Sequence, residues 1–469
     1  MPTFELDSVL AEVERALAAR DPGRAFERLA PLAAELENDR RLAGVWLTLL
    51  RISPGRPGLQ EDVARILAGW PEDADLALLG CDALIRAAEL QGPDAPSGED
   101  GPAWRAAELA ARSWERLDDA DRGDPAVGGY WLMNRANALR IAHRYPEAEG
   151  AYADALALDP NNGDWWFNAG LLYKALGDFE RGLAAAQRAR ELARGSRADS
   201  ALRGVLWNIA LCATALGRGE VAVEALQKLG FPARVLAGGM PHVDDLPPLQ
   251  VRVATLGSGH GFAGAELDRA VAFEAVWVSP ASPCHGVVQT PTFREASIDY
   301  GDVVLWDGTP VGTFEHEGKR VPRFPLLSLL RAGDERRLRF VALEQREGEV
   351  QKLGAELAQG ALLFVLRARI EMLCARCASG EHMRKHVHSA PEPHRLVYGK
   401  IVLPAASDLA LFRRELDALL ARHSGVQLVM PGLFEALGDA PAAGKAHQIW
   451  RGLERSALKA DSAVAVPRA

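Results

Sequence analysis

The spacing of apolar residues divides the chain into a helical first half and a second half with short strands. Over residues 1–232, apolar side chains recur every three or four positions in segments rich in Ala, Leu, Glu and Arg. This is the period of amphipathic helices built from good helix formers. Short runs of Gly, Pro and Asp separate the segments, as expected for turns between helices. We therefore predict an all-α region over 1–232.

The pattern changes after the Gly/Pro-rich stretch 233–250, which we interpret as a linker. Short runs rich in Val, Leu and Phe predict strands, and "GDVVLWDGTPVGTF" predicts a hairpin around "DGTP". We predict a β-rich α+β domain over 251–378. A small βαβ-like unit over 395–460 then combines "RLVYGKIVLP", a helix from residue 406 and "GVQLVMPG". Residues 461–469 form a tail.

The helical region contains an internal repeat. Residues 129–162 align without a gap on residues 163–196, so that Gly129 matches Gly163, and a third copy follows at 203–232. The second copy carries Trp166 at its fourth position, Gly170 at its eighth and Tyr173 at its eleventh. On these residues and this period the segment resembles the tetratricopeptide-repeat (TPR) family. The resemblance implies stacked antiparallel helix pairs, and because two or three repeats leave their end faces exposed, we expect a TPR-like solenoid from residue 1 to 232.

The resemblance also implies a concave groove lined by the first helix of each repeat. An asparagine stands at the sixth position of all three copies, and other polar residues lie nearby. Asparagine donates and accepts hydrogen bonds at once, which suits the backbone of an extended peptide. The alternative is that these asparagines join neighbouring helices. The predicted partner-binding groove consists of Asn134, Asn137, Arg140, Asn168, Lys174 and Asn208.

Composition narrows the choice of partner. The net charge of −9 gives no general attraction to nucleic acid, so we expect a protein or peptide partner. No apolar stretch approaches the roughly 18 residues that span a bilayer. Five cysteines in 469 residues do not form a disulfide framework, and with an N-terminus unlike a secretory signal they predict a cytoplasmic protein. Nothing in the composition indicates the oligomeric state.

Two stretches of the second half are candidate catalytic sites. "TLGSGHGFAG" (255–264) follows a predicted strand and contains G-x-G-x-x-G, the pattern of a phosphate-binding loop. The helix predicted after it is short for a parallel crossover, and the acid expected roughly 20 residues on is missing, which favours a simple loop. Cys284 is a candidate nucleophile, but the adjacent His285 points to the opposite face of a strand.

A third stretch, "CARCASGEHMRKHVH" (374–388), has the composition of a zinc site. Cys374 and Cys377 have the C-x-x-C spacing of two thiolate ligands, and His382 and His386 supply nitrogens. Four protein ligands would make such a zinc structural, and no other cofactor is indicated. The separation of Cys377 from His382 is much shorter than the one between the cysteines and histidines of a usual zinc finger. A polar surface loop is therefore the alternative.

The residues from Glu274 through Trp277, Pro291 and Phe293 to "YGDVV" resemble an uncharacterised small bacterial domain. This resemblance covers about 274–316 and implies a barrel-like or ferredoxin-like β element without a known activity. Taken together, the patterns predict a bacterial-type TPR adaptor. Its solenoid would bind a partner polypeptide, and its C-terminal α+β region would dock a second component. The alternative is an enzyme with an active site near 255–264 and Cys284 and a TPR domain that recruits substrate.

Overall fold

The chain forms two compact units, Met1–Phe231 and Pro232–Ala469. Within the described residues the first unit is helical and the second combines strands with helices, so the predicted change of secondary structure is confirmed. None of the helices in this described part is long and apolar enough to span a membrane. The computed structural model describes residues 3–91, 100–193, 199–236, 238–255, 272–373 and 392–461.

The first unit is built from helices joined by short turns. Several helices begin at an Asp or Asn whose side chain accepts a hydrogen bond from the backbone N–H three residues later, as Asp39, Asn162 and Asp178 do. The helices are α1 (Thr3–Ala18), α2 (Pro22–Leu29), α3 (Arg40–Ile52), α4 (Leu59–Gly69), α5 (Ala74–Gln91), α6 (Pro102–Arg116), α7 (Asp119–Gly123), α8 (Tyr130–Ile141), α9 (Tyr145–Leu158), α10 (Gly163–Ala175), α11 (Phe179–Leu192), α12 (Asp199–Ala215) and α13 (Gly219–Lys228).

The last six of these helices form three TPR-like pairs. α8 packs on α9, α10 on α11 and α12 on α13. The second helices of the first two pairs begin at Tyr145 and Phe179, which occupy the same position of successive copies. α10 and α11 lie close together at Gly170, where a Cβ would be in contact with the Cβ of Ala185 at 3.5 Å. Gly177 ends the second pair's turn with a positive φ of 74°, which favours glycine.

Five strands of the second unit close into a barrel. The ring runs β3, β4, β5, β6, β8 and back to β3 through a parallel pairing, and its interior contains Val251, Val276, Val304 and Trp306. β7 pairs with the first part of β8. The strands are β1 (Arg234–Val235) and β2 (Pro241–His242), which pair separately, and β3 (Leu249–Thr255), β4 (Ala272–Ser282), β5 (His285–Val288), β6 (Val303–Trp306), β7 (Gly312–His316) and β8 (Lys319–Arg331).

The predicted hairpin around "DGTP" is wrong. β6 and β7 flank that turn, but they do not pair with each other, since both pair with β8. β8 is 13 residues long, so its first part pairs with β7 and its last part with β6. The resemblance over 274–316 therefore falls within a barrel, the first of the two forms that it implied.

The remaining elements form a βαββαβ arrangement with strand order β10-β11-β9-β12. This is the topology of a ferredoxin-like fold, in which two crossover helices pack on one antiparallel sheet. The predicted βαβ unit is present, but β9 lies between its two parallel strands, β11 and β12. The elements are β9 (Arg336–Glu344), α14 (Glu349–Ala355), β10 (Leu362–Leu373), β11 (Glu392–Leu403), α15 (Leu409–Arg422), β12 (Val426–Val429), α16 (Pro431–Ala436) and α17 (Ala440–Asp461).

The boundary between the two sheets also differs from the prediction. The predicted division between 378 and 395 falls between β10 and β11, which pair along their whole length from Leu362↔Val402 to Leu373↔Glu392. The barrel instead ends with β8, and β9 opens the four-stranded sheet a few residues later. The strongly apolar runs on either side of 378–395 are two strands of one sheet, because each completes the other's backbone hydrogen bonds.

The loop between β5 and β6 joins the barrel to the four-stranded sheet. Lys400 of β11 is buried, with 5% of its surface exposed, and donates hydrogen bonds to Asp299 and to Thr292 of this loop. Arg337 of β9 donates to Asp302 at 2.6 Å and to the carbonyl of Tyr300. Charged side chains of one sheet therefore fix the loop of the other.

Candidate partner-binding surfaces

The first helices of the three repeats lie next to one another, since α10 contacts both α8 and α12. Asn134, Asn168 and Asn208 occupy the same position in these helices, as the sequence predicted. Their environments differ. Asn134 and Asn208 are buried, with 6% and 3% of their surfaces exposed, whereas Asn168 is half-buried. Two of the three are therefore covered by the protein itself.

Two predicted groove residues join neighbouring repeats. Lys174 of α10 donates a hydrogen bond to the Oδ1 atom of Asn208 on α12, at 3.3 Å. Asn168 instead donates from Nδ2 to the carbonyl of Asp164 one turn earlier in its own helix, at 2.9 Å. The contact between Lys174 and Asn208 has the structural role that we considered as the alternative for these residues.

Asn137 and Arg140 of α8 surround the hydroxyl of Tyr152 on α9. The hydroxyl donates to the Oδ1 atom of Asn137 at 2.6 Å and accepts from the Nε atom of Arg140 at 3.3 Å. Tyr152 is fully buried, and this burial raises the pKa of its hydroxyl, while the positive charge of Arg140 acts in the opposite direction. The tyrosine is therefore neutral. Its hydroxyl holds the side chains of Asn137 and Arg140 in place by hydrogen bonds.

The half-buried members of this set keep unused hydrogen-bonding atoms. Among the described residues, the Nδ2 atom of Asn137, the Nη atoms of Arg140 and the Oδ1 atom of Asn168 have no hydrogen-bond partner. Donors and acceptors of this kind on adjacent helices match the alternating N–H and C=O groups of an extended chain. We call Asn137, Arg140, Asn168 and Lys174 the repeat groove.

A concave surface lies on the barrel. Trp277 of β4 contacts His316 and Phe314 of β7, with ring centroids 4.9 and 5.7 Å away and the Phe314 ring edge-on. Trp277 and His316 line a groove of about 670 Å³ that also contains Pro247, Pro248 and Pro322. We call this surface the aromatic groove. Apolar rings in an open groove are typical of sites that bind peptides or small molecules.

Cations surround the aromatic groove. Lys319 and Arg320 are exposed on its rim, beside Glu317. Arg323 lies over the ring of Phe314, 5.1 Å from its centroid, and donates to the Oε1 atom of Gln250. The sequence analysis missed this surface. The available signal was the pair Phe314 and His316, which lie two positions apart and therefore on one face of β7.

The proposed catalytic cysteine is inaccessible. Cys284 is fully buried in the turn between β4 and β5, and His285 is 2% exposed. The Oγ atom of Ser282 is hydrogen-bonded to the Nδ1 atom of His285 at 2.6 Å and lies 3.5 Å from the Sγ atom of Cys284. Burial lowers the pKa of His285 to about 4, which keeps the ring neutral near pH 7. Ser282, Cys284 and His285 are therefore packed in the interior at one end of the barrel. This arrangement does not support the hypothesis of an active site at Cys284.

Other predicted sites lie outside the described residues. Residues 256–264 of the glycine-rich stretch belong to this group, and so do Cys374, Cys377, His382 and His386 of the predicted zinc site. Within the described part of the chain, no group of His, Cys, Asp and Glu side chains is arranged to hold a metal ion. The zinc site stays a prediction.

No protein-family model and no curated protein matches the chain. Part of the chain is similar to solved structures of MamA. One MamA structure is 15% identical, covering 36% of this chain and 83% of MamA, with a TM-score of 0.26. Structures of MamA AMB-1 and MamA MSR-1 are 18% and 19% identical, covering 40% and 39% of this chain and 91% and 94% of theirs, also at a TM-score of 0.26. Similarity at this level carries no argument about function.

Proposed function

We propose that the protein is an adaptor whose TPR-like helices bind a partner polypeptide in the repeat groove. One observation carries this proposal: unused donors and acceptors of Asn137, Arg140 and Asn168 lie half-buried on adjacent helices. Each hydrogen bond to a peptide backbone would contribute about 1 kcal/mol. Three or four such bonds, together with apolar burial, suit reversible binding.

Burial supports a smaller set of partner-contacting residues in this proposal. Asn134 and Asn208 are buried, so in this proposal they hold the helices while Asn137, Arg140, Asn168 and Lys174 contact the bound chain. The hydroxyl of Tyr152 holds the side chains of Asn137 and Arg140 in place by hydrogen bonds. Side chains that are already held in place lose less conformational entropy when a partner binds than freely rotating ones do. The same few contacts therefore give a higher affinity.

The aromatic groove is our proposed docking surface for the second component. Its rings present apolar area at low entropic cost, and Trp and Tyr are the residue types that dominate binding energies at protein interfaces. Trp277 is half-buried and lines a groove of about 670 Å³. An adaptor would then use one surface in each compact unit.

Photo-cross-linking in the native host tests the repeat groove. We would incorporate a photoreactive amino acid in place of Asn168, and in a second variant in place of Arg24, which is exposed on α2. We expect a discrete cross-linked polypeptide, identified by mass spectrometry, from position 168 only. Arg140→Ala in the same chain should reduce its yield. The proposal fails if position 168 gives no specific product or gives the same products as position 24.

A further inference from the structure

The first unit has another groove, between α4 and α6. It has a volume of about 450 Å³, and Ala77 and Leu84 of α5 lie at its base. Residues 60, 63, 64, 67 and 68 of α4 form one wall, and residues 105, 108, 109, 112, 113 and 116 of α6 form the other. Both sets repeat every three or four positions, so each wall is a single helix face. We call this surface the α4–α6 groove.

The wall formed by α6 is positively charged. Arg105, Arg112 and Arg116 line the groove with a single acid, Glu108, between them. Within the described part of the chain, Arg105 and Arg112 form no ion pair, and Arg116 donates to the carbonyl of Pro71. Three guanidinium groups against one carboxylate, beside an apolar floor, create a site for a negatively charged apolar ligand.

The shape of the groove selects a helix. Its walls are helices and its floor is the third helix α5, so a bound helix can place its side-chain ridges between those of α4 and α6. Arg105 and Arg116 lie at opposite ends of this face of α6, roughly 16 Å or three helical turns apart. Val63, Leu67 and Leu109 offer apolar contacts along this length.

We propose that the α4–α6 groove binds an acidic amphipathic helix of a partner protein. The apolar stripe of that helix packs on α5, and its carboxylates, about two turns apart, pair with Arg105 and Arg112. Gln60 lies at the other wall, and its Oε1 atom is buried without a hydrogen-bond partner in the described structure. The surface is distinct from the repeat groove, and this inference can fail independently.

Selection from a phage-displayed peptide library against the full-length chain tests the inference. The peptides would match the length of α6, so that a bound helix can run along the whole groove. We expect selected peptides with apolar residues at helical spacing and Asp or Glu beside them. Binding of the synthetic peptides would be measured by fluorescence anisotropy. Hydrogen exchange of the complex should show protection at 60–71 and 105–116.

Two variants address the groove in different ways. The double variant Arg105→Glu/Arg112→Glu should weaken binding about tenfold or more, since it replaces two attractions with repulsions. Ser113→Trp should weaken it without a change of charge, by filling the groove. The control Arg24→Glu/Arg414→Glu reverses two exposed arginines elsewhere and should leave binding unchanged.

Other outcomes overturn the inference. Selection without acidic helical sequences would do so, as would equal binding to the groove variants and the control. Protection on α8, α10 and α12 instead of α4 and α6 would assign the peptide to the repeat groove. That result would support the proposed function while refuting the α4–α6 site.

Discussion

Replacing Lys400 with methionine should destabilise the contact between the β5–β6 loop of the barrel and the four-stranded sheet, which we call the joint. Lys400 is buried, its Nζ atom pairs with Asp299, and it lies 3.3 Å from the Oγ1 atom of Thr292. Burial lowers the pKa of Lys400, and the neighbouring charge of Asp299 opposes this change. Lys400→Met keeps the length of the side chain and removes its charge, which leaves Asp299 without its cation.

The expected loss follows from how well Asp299 remains solvated. Removing one partner of a buried ion pair costs about 3–5 kcal/mol. Asp299 keeps 19% of its side chain exposed and still accepts hydrogen bonds from the backbone N–H groups of Thr292 and Tyr300. We therefore expect the lower end, about 3 kcal/mol. The double variant Lys400→Met/Asp299→Asn should recover about 1–2 kcal/mol, because no unpaired charge is left.

Hydrogen exchange of the full-length chain, read by mass spectrometry over 292–302 and 395–403, measures the opening free energy of this joint. Arg218→Met is the matched control, since Arg218 and its partner Glu180 are 47% and 60% exposed. Arg218→Met should change the free energy of unfolding by less than about 1 kcal/mol, and it should leave hydrogen exchange over 292–302 and 395–403 unchanged. A loss below about 1 kcal/mol for Lys400→Met, or a double variant no more stable than the single one, would refute the reasoning.

Three further predictions concern stability. Because burial holds the pKa of His285 at about 4 and the unfolded ring titrates near 6.5, only the unfolded chain gains a proton between these values. Stability should therefore fall by up to about 3 kcal/mol as the pH falls from 6.5 to 4, and His285→Gln should remove this part of the pH dependence in thermal unfolding. Gly129→Ala should destabilise α8 by about 1–3 kcal/mol in denaturant titrations, because its Cβ would lie 2.2 Å from the ring of Trp165. The control Gly150→Ala places its Cβ where no atom lies within 4 Å, so it should be neutral or slightly stabilising. Asp408→Ala should cost about 1 kcal/mol, measured as a lower unfolding midpoint by circular dichroism, since it removes the N-cap of α15; an unchanged midpoint would contradict this.

The helical repeats were predictable because their signals are local. The gapless alignment of the first two copies, small residues at the eighth position and glycine in the turn of the second copy each act within one helix pair or between adjacent pairs. The structure accordingly has α9 and α11 beginning at matched positions, Tyr145 and Phe179, and Gly177 in the turn with a positive φ. The apolar runs of the second half likewise located β6, β7, β11 and β12.

Strand pairing was less predictable, because it depends on residues far apart in the chain. The hairpin prediction around "DGTP" assumed that neighbouring strands pair, but β6 and β7 both pair with β8, which also closes the barrel onto β3. Arg323 of β8 and its hydrogen-bond acceptor Gln250 are 73 residues apart. A single sequence contains no local signal for such a contact.

Burial of individual polar residues was the least predictable property. The three asparagines at the sixth repeat position look alike in the sequence, yet Asn134 and Asn208 are buried and Asn168 is not. Lys400 lies in a strand where alternation suggests an outward-facing lysine. It is buried because the loop that carries Asp299 covers that face of the sheet.

The joint between the two sheets also has a consequence for synthesis on the ribosome. Asp299 precedes Lys400 by 101 residues. At about 5–20 residues per second, the carboxylate emerges roughly 5–20 seconds before the cation that it pairs with. The helical repeats need only close neighbours in the chain and can mature while translation continues, whereas the barrel must wait for the last strands before its loop is held in place.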